Sequence, residues 1–145
     1  MKAILIGALL SLSLTAFANL DELLGTYKPT SGEGEATVTK VLVSEATLFE
    51  PAKYEYRVDL WKSHHSLSNS TALEIGEDGK SLVSSGGNEC DDPGCFYFDN
   101  IEIVIKRPTP RSRPQIKVEY EGHHNDDGDS GYYDFTGSAT FTKTR

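Results

Sequence analysis

Apolar and polar residues alternate along most of this chain with a period of two, the pattern of half-buried β-strands. Residues 36 to 43 are rich in Thr and Val, a strand composition. Tyr54, Tyr56, Val58 and Leu60 alternate with Glu55, Arg57, Asp59 and Trp61. Leu73 and Ile75 precede Gly76-Glu77-Asp78-Gly79, and Leu82 and Val83 follow it, which predicts a hairpin. Phe96 and Phe98 share one parity and Ile101, Ile103 and Ile105 the other, so a turn or bulge is expected near Asp99-Asn100. Ile116, Val118 and Tyr120 alternate with charged neighbours. The final segment sets Tyr133, Phe135, Gly137, Ala139 and Phe141 on one face and threonines and serine on the other.

The spacing gives about eight strands with short connections and no helical period, so the expected fold is all-β, a single antiparallel barrel or sandwich. Ahead of the strands, Asn19 or Asp21 is placed to cap one short helical turn ended by Gly25.

Residues 1–18 read as a secretory signal. Met1-Lys2 supplies the positive start, residues 3–15 are apolar or small, and Ala16-Phe17-Ala18 is a small-x-small cleavage site. The apolar run falls short of the roughly 20 residues that cross a bilayer. Residues 19–145 then form one domain, with a periplasmic or secreted destination. That compartment makes Cys90 and Cys95, which enclose Asp91-Asp92-Pro93-Gly94, a disulfide pair across a turn. A redox dithiol would need C-x2-C spacing and a following helix.

The whole chain has 145 residues and a net charge of −8. An acidic surface argues against nucleic acid and against anionic lipid, and no membrane anchor is expected. One stretch opposes the trend: Lys106-Arg107-Pro108-Thr109-Pro110-Arg111-Ser112-Arg113-Pro114 is basic, and its three prolines predict an extended, stiff loop. Arg107, Arg111 and Arg113 are the candidate contacts to an acidic protein partner, unless the loop is only a soluble connection.

Tyrosines stand out on the predicted inward faces. A small barrel either fills its interior with side chains or holds one small ligand. Tyr54, Tyr56, Leu60, Tyr120, Tyr133 and Phe135 are the candidate wall of an apolar ligand site; the plain alternative is core packing.

The short turn running into Leu24-Gly25-Thr26-Tyr27, followed by a meander of strands, resembles the opening of lipocalin-like barrels, with Tyr27 where that family carries Trp and Arg145 in place of its closing arginine. The resemblance implies a closed barrel that binds a small apolar molecule. The size and single cysteine pair are also similar to small exported inhibitors of proteases and lysozymes.

Histidines come in two pairs, His64-His65 and His123-His124. His64 and His123, completed by Asp127 and Asp129, are a candidate divalent-metal set; the bland reading is two polar loop ends. Residues 125–131 resemble a calcium loop but miss the EF-hand pattern, with Ser130 at position six and Thr136 at twelve. Gly128-Asp129-Ser130-Gly131 matches the string around the nucleophile of trypsin-like proteases, and His64 or His65, Asp99 and Ser130 follow that family's order. The chain is too short for the two barrels of that fold.

The sequence therefore predicts a monomeric, exported binding protein and no enzyme, with no obligatory cofactor and a small apolar molecule as ligand. The alternative is an inhibitor or interaction module that captures an exported protein through residues 106–114. A hydrolase comes third.

Overall fold

A computed structural model describes residues 19–62, 71–88, 96–124 and 133–145. Eight strands form a closed antiparallel barrel in simple meander order: β1 (Gly25–Pro29), β2 (Gly34–Ser44), β3 (Lys53–Lys62), β4 (Thr71–Ile75), β5 (Leu82–Asn88), β6 (Phe96–Lys106), β7 (Gln115–His124) and β8 (Tyr133–Lys143). The barrel is closed by β1 pairing with β8, which brings Tyr27 opposite Lys143 across almost the whole chain. Closure removes sheet edges that would otherwise template aggregation. The expected register change is a bulge: Phe98 pairs with Gly122 and Asn100 with Glu121, so Asp99 is the extra residue.

The interior is filled by alternate residues of every strand. Val38, Val58, Leu82, Ile105, Ile116 and Phe141 are all buried in one continuous cluster. At the end of the barrel where the chain enters, a 3-10 turn, Leu20–Leu23, lies against this core. Asn19 caps it, its side chain accepting from the Asp21 amide at 3.2 Å. Leu23 is buried, and the wholly buried Tyr27 donates its hydroxyl to the Leu23 carbonyl at 2.5 Å. Outside this plug, Arg107 grips Glu22 with two nitrogens, at 3.1 and 3.4 Å, and Lys143 donates to the Glu22 carbonyl at 2.6 Å. Arg145 is exposed at the chain end, so Lys143 and Arg107 supply the cations that hold the entering turn.

Three connections, β2–β3, β4–β5 and β6–β7, share that end. The β4–β5 turn is organised by Asp78, whose Oδ1 accepts from the amides of Lys80 and Ser81, both at 2.9 Å, and from the Ser81 hydroxyl at 2.7 Å. These bonds, the one from the Lys80 amide foremost, hold the Asp78 carboxyl below its ordinary pKa. Below about pH 4 the unfolded chain protonates Asp78 before the folded one does, so the stabilisation present above that pH is lost as pH falls further. Asp78→Asn should thus flatten the acid limb of thermal melts between pH 5 and pH 2; an unchanged limb would clear Asp78 of any part in acid unfolding.

The β6–β7 connection departs from the extended loop that its prolines suggested. It is a compact turn: the Ser112 amide donates to the Thr109 carbonyl at 3.0 Å, the Thr109 amide to Ser112 Oγ at 2.8 Å, and Arg107 Nη1 to the Ser112 carbonyl. Proline fixes φ near the value a turn already uses, so side-chain acceptors can fold such a segment back on itself.

Candidate functional site

Among the described residues, three aromatic rings gather at the end of the barrel away from the N-terminal turn. Phe98 on β6 stands edge-to-face with Tyr120 on β7, centroids 5.7 Å apart and planes at 80°. Phe98 meets Phe135 on β8 in the same way at 5.5 Å and 84°, and Tyr120 and Phe135 are 6.3 Å apart. Phe98 is buried and the other two rings are half-buried. Such edge-to-face pairs contribute about 0.5–1.5 kcal/mol each beyond simple burial.

Two glycines make this cluster possible. Gly122 is the β7 residue opposite both Phe98 and Phe135, so the two phenyl rings meet across a position with no side chain. Gly137 lies opposite Tyr120, and a Cβ there would sit 2.4 Å from the Tyr120 hydroxyl and 2.5 Å from Cζ. The Tyr120 ring therefore lies over bare backbone, an aromatic covering a glycine across a strand pair. Below the rings, Ile101 and Ala139 continue into the packed core.

At the rim, the bulged Asp99 turns to β7. Its Oδ2 lies 3.0 Å from Nδ1 of His123, an exposed carboxylate beside a half-buried imidazole. A carboxylate on Nδ1 fixes the ring's orientation. On the outer wall the same strands carry an acidic stripe, Glu102 directly opposite Glu119, with Lys117 bonded to Glu119 at 2.7 Å.

The six residues expected to form one ligand wall fall at separate places. Tyr120 and Phe135 belong to the aromatic cluster. Leu60 is buried in the core. Tyr54 and Tyr56 lie at the opposite end: the Tyr56 hydroxyl donates to Asp21 at 3.3 Å, and Tyr54 is exposed. Lys40 lies over both rings, 5.1 Å from Tyr54 and 5.5 Å from Tyr56, while bonding Asp21 at 3.0 Å. That bond holds the Asp21 carboxyl below its ordinary pKa and raises that of Lys40. Tyr133 begins β8, and its side chain lies outside the described residues.

Of the candidate metal set, His123 is the member described; His64, Asp127 and Asp129 lie outside the described residues, as do Cys90, Cys95, Ser130, His65 and residues 1–18. Among the described residues no three His, Cys, Asp or Glu side chains stand close enough to hold a metal ion. In the basic turn, Arg107 is committed to Glu22 and Ser112, while Arg111 and Arg113 are exposed.

Sequence reasoning missed Phe98 as a site residue and the pairing of Asp99 with His123. Register counted outward from the 106–114 turn carries both signals, because it sets Asp99 beside the end of β7.

These features define a closed eight-stranded antiparallel barrel, plugged at one end by its own N-terminal turn and aromatic at the other. The chain matches no family model, and no curated protein or solved structure is significantly similar to it.

Proposed function

We propose that this protein is an exported, periplasmic or secreted barrel that binds a small apolar or aromatic molecule and performs no chemistry on it. The observation that carries the reading is the aromatic cluster of buried Phe98 with half-buried Tyr120 and Phe135, gathered at the end that the N-terminal turn does not close. Aromatic walls with few polar groups suit a ligand of this class, and Tyr120 adds one hydroxyl for orientation. The packed core beneath limits the ligand to the end of the barrel and keeps it out of the centre. This placement differs from a lipocalin-like ligand chamber running through the interior, although plug, barrel and Tyr27 remain in keeping with that resemblance.

Native mass spectrometry of the protein taken from its host's exported fraction tests the reading. The expected result is a mass excess the size of a small organic molecule, lost in a folded Phe135→Ala variant. A wild-type protein that arrives bare, and that binds no hydrophobic fluorescent probe quenched by Phe135→Ala, overturns it.

A second reading, an inhibitor or interaction module, is favoured by the order of the β6–β7 turn. Its internal hydrogen bonds and the Arg107–Glu22 pair present Arg111 and Arg113 on a fixed platform, so little entropy is lost on docking. Reversing both charges, Arg111→Glu with Arg113→Glu, should abolish crosslinking to an acidic exported protein. Equal crosslinking by this variant removes the turn from consideration.

A further inference from the structure

The aromatic end carries a charge pattern of its own. Each ring of the cluster has a carboxylate as its neighbour in sequence: Asp99 follows Phe98, Glu121 follows Tyr120 and Asp134 precedes Phe135. Successive strand residues take opposite faces, so these carboxylates stand on the outer side of the wall whose inner side holds the rings. All three are exposed. Asp99 is engaged by His123 at 3.0 Å, whereas Glu121 and Asp134 have no ion-pair partner among the described residues. No three such groups stand close enough to hold a metal ion among the described residues, so the carboxylates act through their field.

The same stretches carry no opposing cation. Residues 96–101, 118–124 and 133–138 contain neither lysine nor arginine, and the next cation along β7, Lys117, is bonded to Glu119 at 2.7 Å. The meander sends the connections 30–33, 63–70, 89–95 and 125–132 to this end. By sequence the first holds one acidic residue, the last two hold three each, and none of the four holds a lysine or arginine. Arg107, Arg111, Arg113 and Arg145 belong to the opposite end. The barrel is therefore polarised along its axis, with negative charge around the aromatic rings.

We propose that the molecule held at the aromatic end is an organic cation, an aromatic or apolar group bearing an amine or quaternary ammonium. It is recognised by cation–π contact with the half-buried rings of Tyr120 and Phe135, inside the negative field of Glu121, Asp134 and Asp99. This rests on the aromatic end being the binding site and goes further by fixing the sign of the ligand's charge. The face of an aromatic ring is negative and attracts a cation within about 6 Å of its centroid, more strongly once water is displaced. The carboxylates lie across a single strand's thickness from the rings, and partly buried charges are screened less than exposed ones. A field of one sign at a cleft concentrates ligands of the other and speeds their arrival. A neutral ligand gains nothing from it, and an anion is repelled.

Equilibrium dialysis of three probes that share one ring system, naphthylmethylammonium, naphthylmethanol and naphthoate, reads the charge preference directly. At about 20 mM salt the cation should bind about tenfold more tightly than the alcohol, with naphthoate weakest. That advantage should shrink toward about 500 mM salt, where charges are screened within a few Å. In the Glu121→Gln/Asp134→Asn variant, changed at two exposed positions, the ratio of cation to alcohol affinity should fall toward one. A folded Phe135→Ala variant should lose the cation. An alcohol that binds as tightly as the cation, or a ratio that the double variant leaves as it was, overturns the charge assignment while leaving an aromatic ligand site in place. Failure of all three probes to bind overturns it together with the reading beneath it. Cation binding that survives Phe135→Ala places the cation on the acidic outer wall and overturns the proposal as well.

Discussion

Replacing Tyr27 by alanine should destabilise the barrel by about 3–5 kcal/mol, the range for deleting a large buried ring. Tyr27 is wholly buried at the centre of the plug, and its hydroxyl satisfies the carbonyl of Leu23, itself buried. Alanine would remove the ring from the core and leave that carbonyl without its partner. Tyr27→Phe keeps the ring and isolates the second effect, about 1–3 kcal/mol for an unsatisfied buried group. Urea unfolding checks both, with the midpoint falling at unchanged slope. An alanine variant within about 1 kcal/mol of wild type would show that the turn does not close the barrel.

Tyr27 also sets an alkaline limit. Burial, reinforced by the charge of Glu22, pushes its phenol well above the ordinary tyrosine range. Above about pH 10 the unfolded chain releases this proton while the folded one retains it, so stability falls as pH rises. Tyr27→Phe should lose that part of the alkaline slope.

Gly137→Val is the sharpest test of the aromatic end. The new side chain would occupy the space in which the Tyr120 ring lies, 2.4 Å from its hydroxyl, so the ring must swing away from Phe98 and Phe135. Overpacking of this kind costs about 1–3 kcal/mol. Binding should fall by about tenfold or more, the equivalent of 1.4 kcal/mol. Adding Tyr120→Ala to Gly137→Val should recover stability, because the clash is gone, while binding stays lost. Titration of a hydrophobic fluorescent probe against both variants separates the two effects; full affinity in Gly137→Val would move the ligand site elsewhere.

Much of the architecture was legible in the chain. Period-two alternation in residues 54–61, 116–121 and 133–142 marks strands because a pleated backbone sends successive side chains to opposite faces. The parity break between Phe98 and Ile101 announced the bulge at Asp99. Gly76-Glu77-Asp78-Gly79 announced a hairpin because such residues accept turn conformations and Asp78 supplies its own acceptor. These signals are local, and they survive in any context.

The candidate site was less legible. Tyr54, Tyr56, Leu60, Tyr120 and Phe135 share inward parity, and parity was the basis for grouping them. Parity says which face a side chain takes, and nothing about its height along the barrel. Leu60 falls in the packed middle, Tyr54 and Tyr56 beside the N-terminal turn, and Tyr120 and Phe135 at the far end. The basic turn shows another limit, since its three prolines suggested an extended loop and said nothing of the bonds from Ser112 and Arg107 that fold it.

By itself, the amino-acid sequence determined the strands, their inward faces, the turn residues and a capped entry at Asn19 or Asp21, all set by interactions within a few residues. Only the tertiary structure decided that β1 closes on β8, that glycines lie opposite Tyr120, Phe98 and Phe135, that Asp99 meets His123, and that β2 outruns β1 to expose Val41–Val43. Each of these depends on the register between strands, which is settled cooperatively when the core packs, and a one-residue slip would change every one of them.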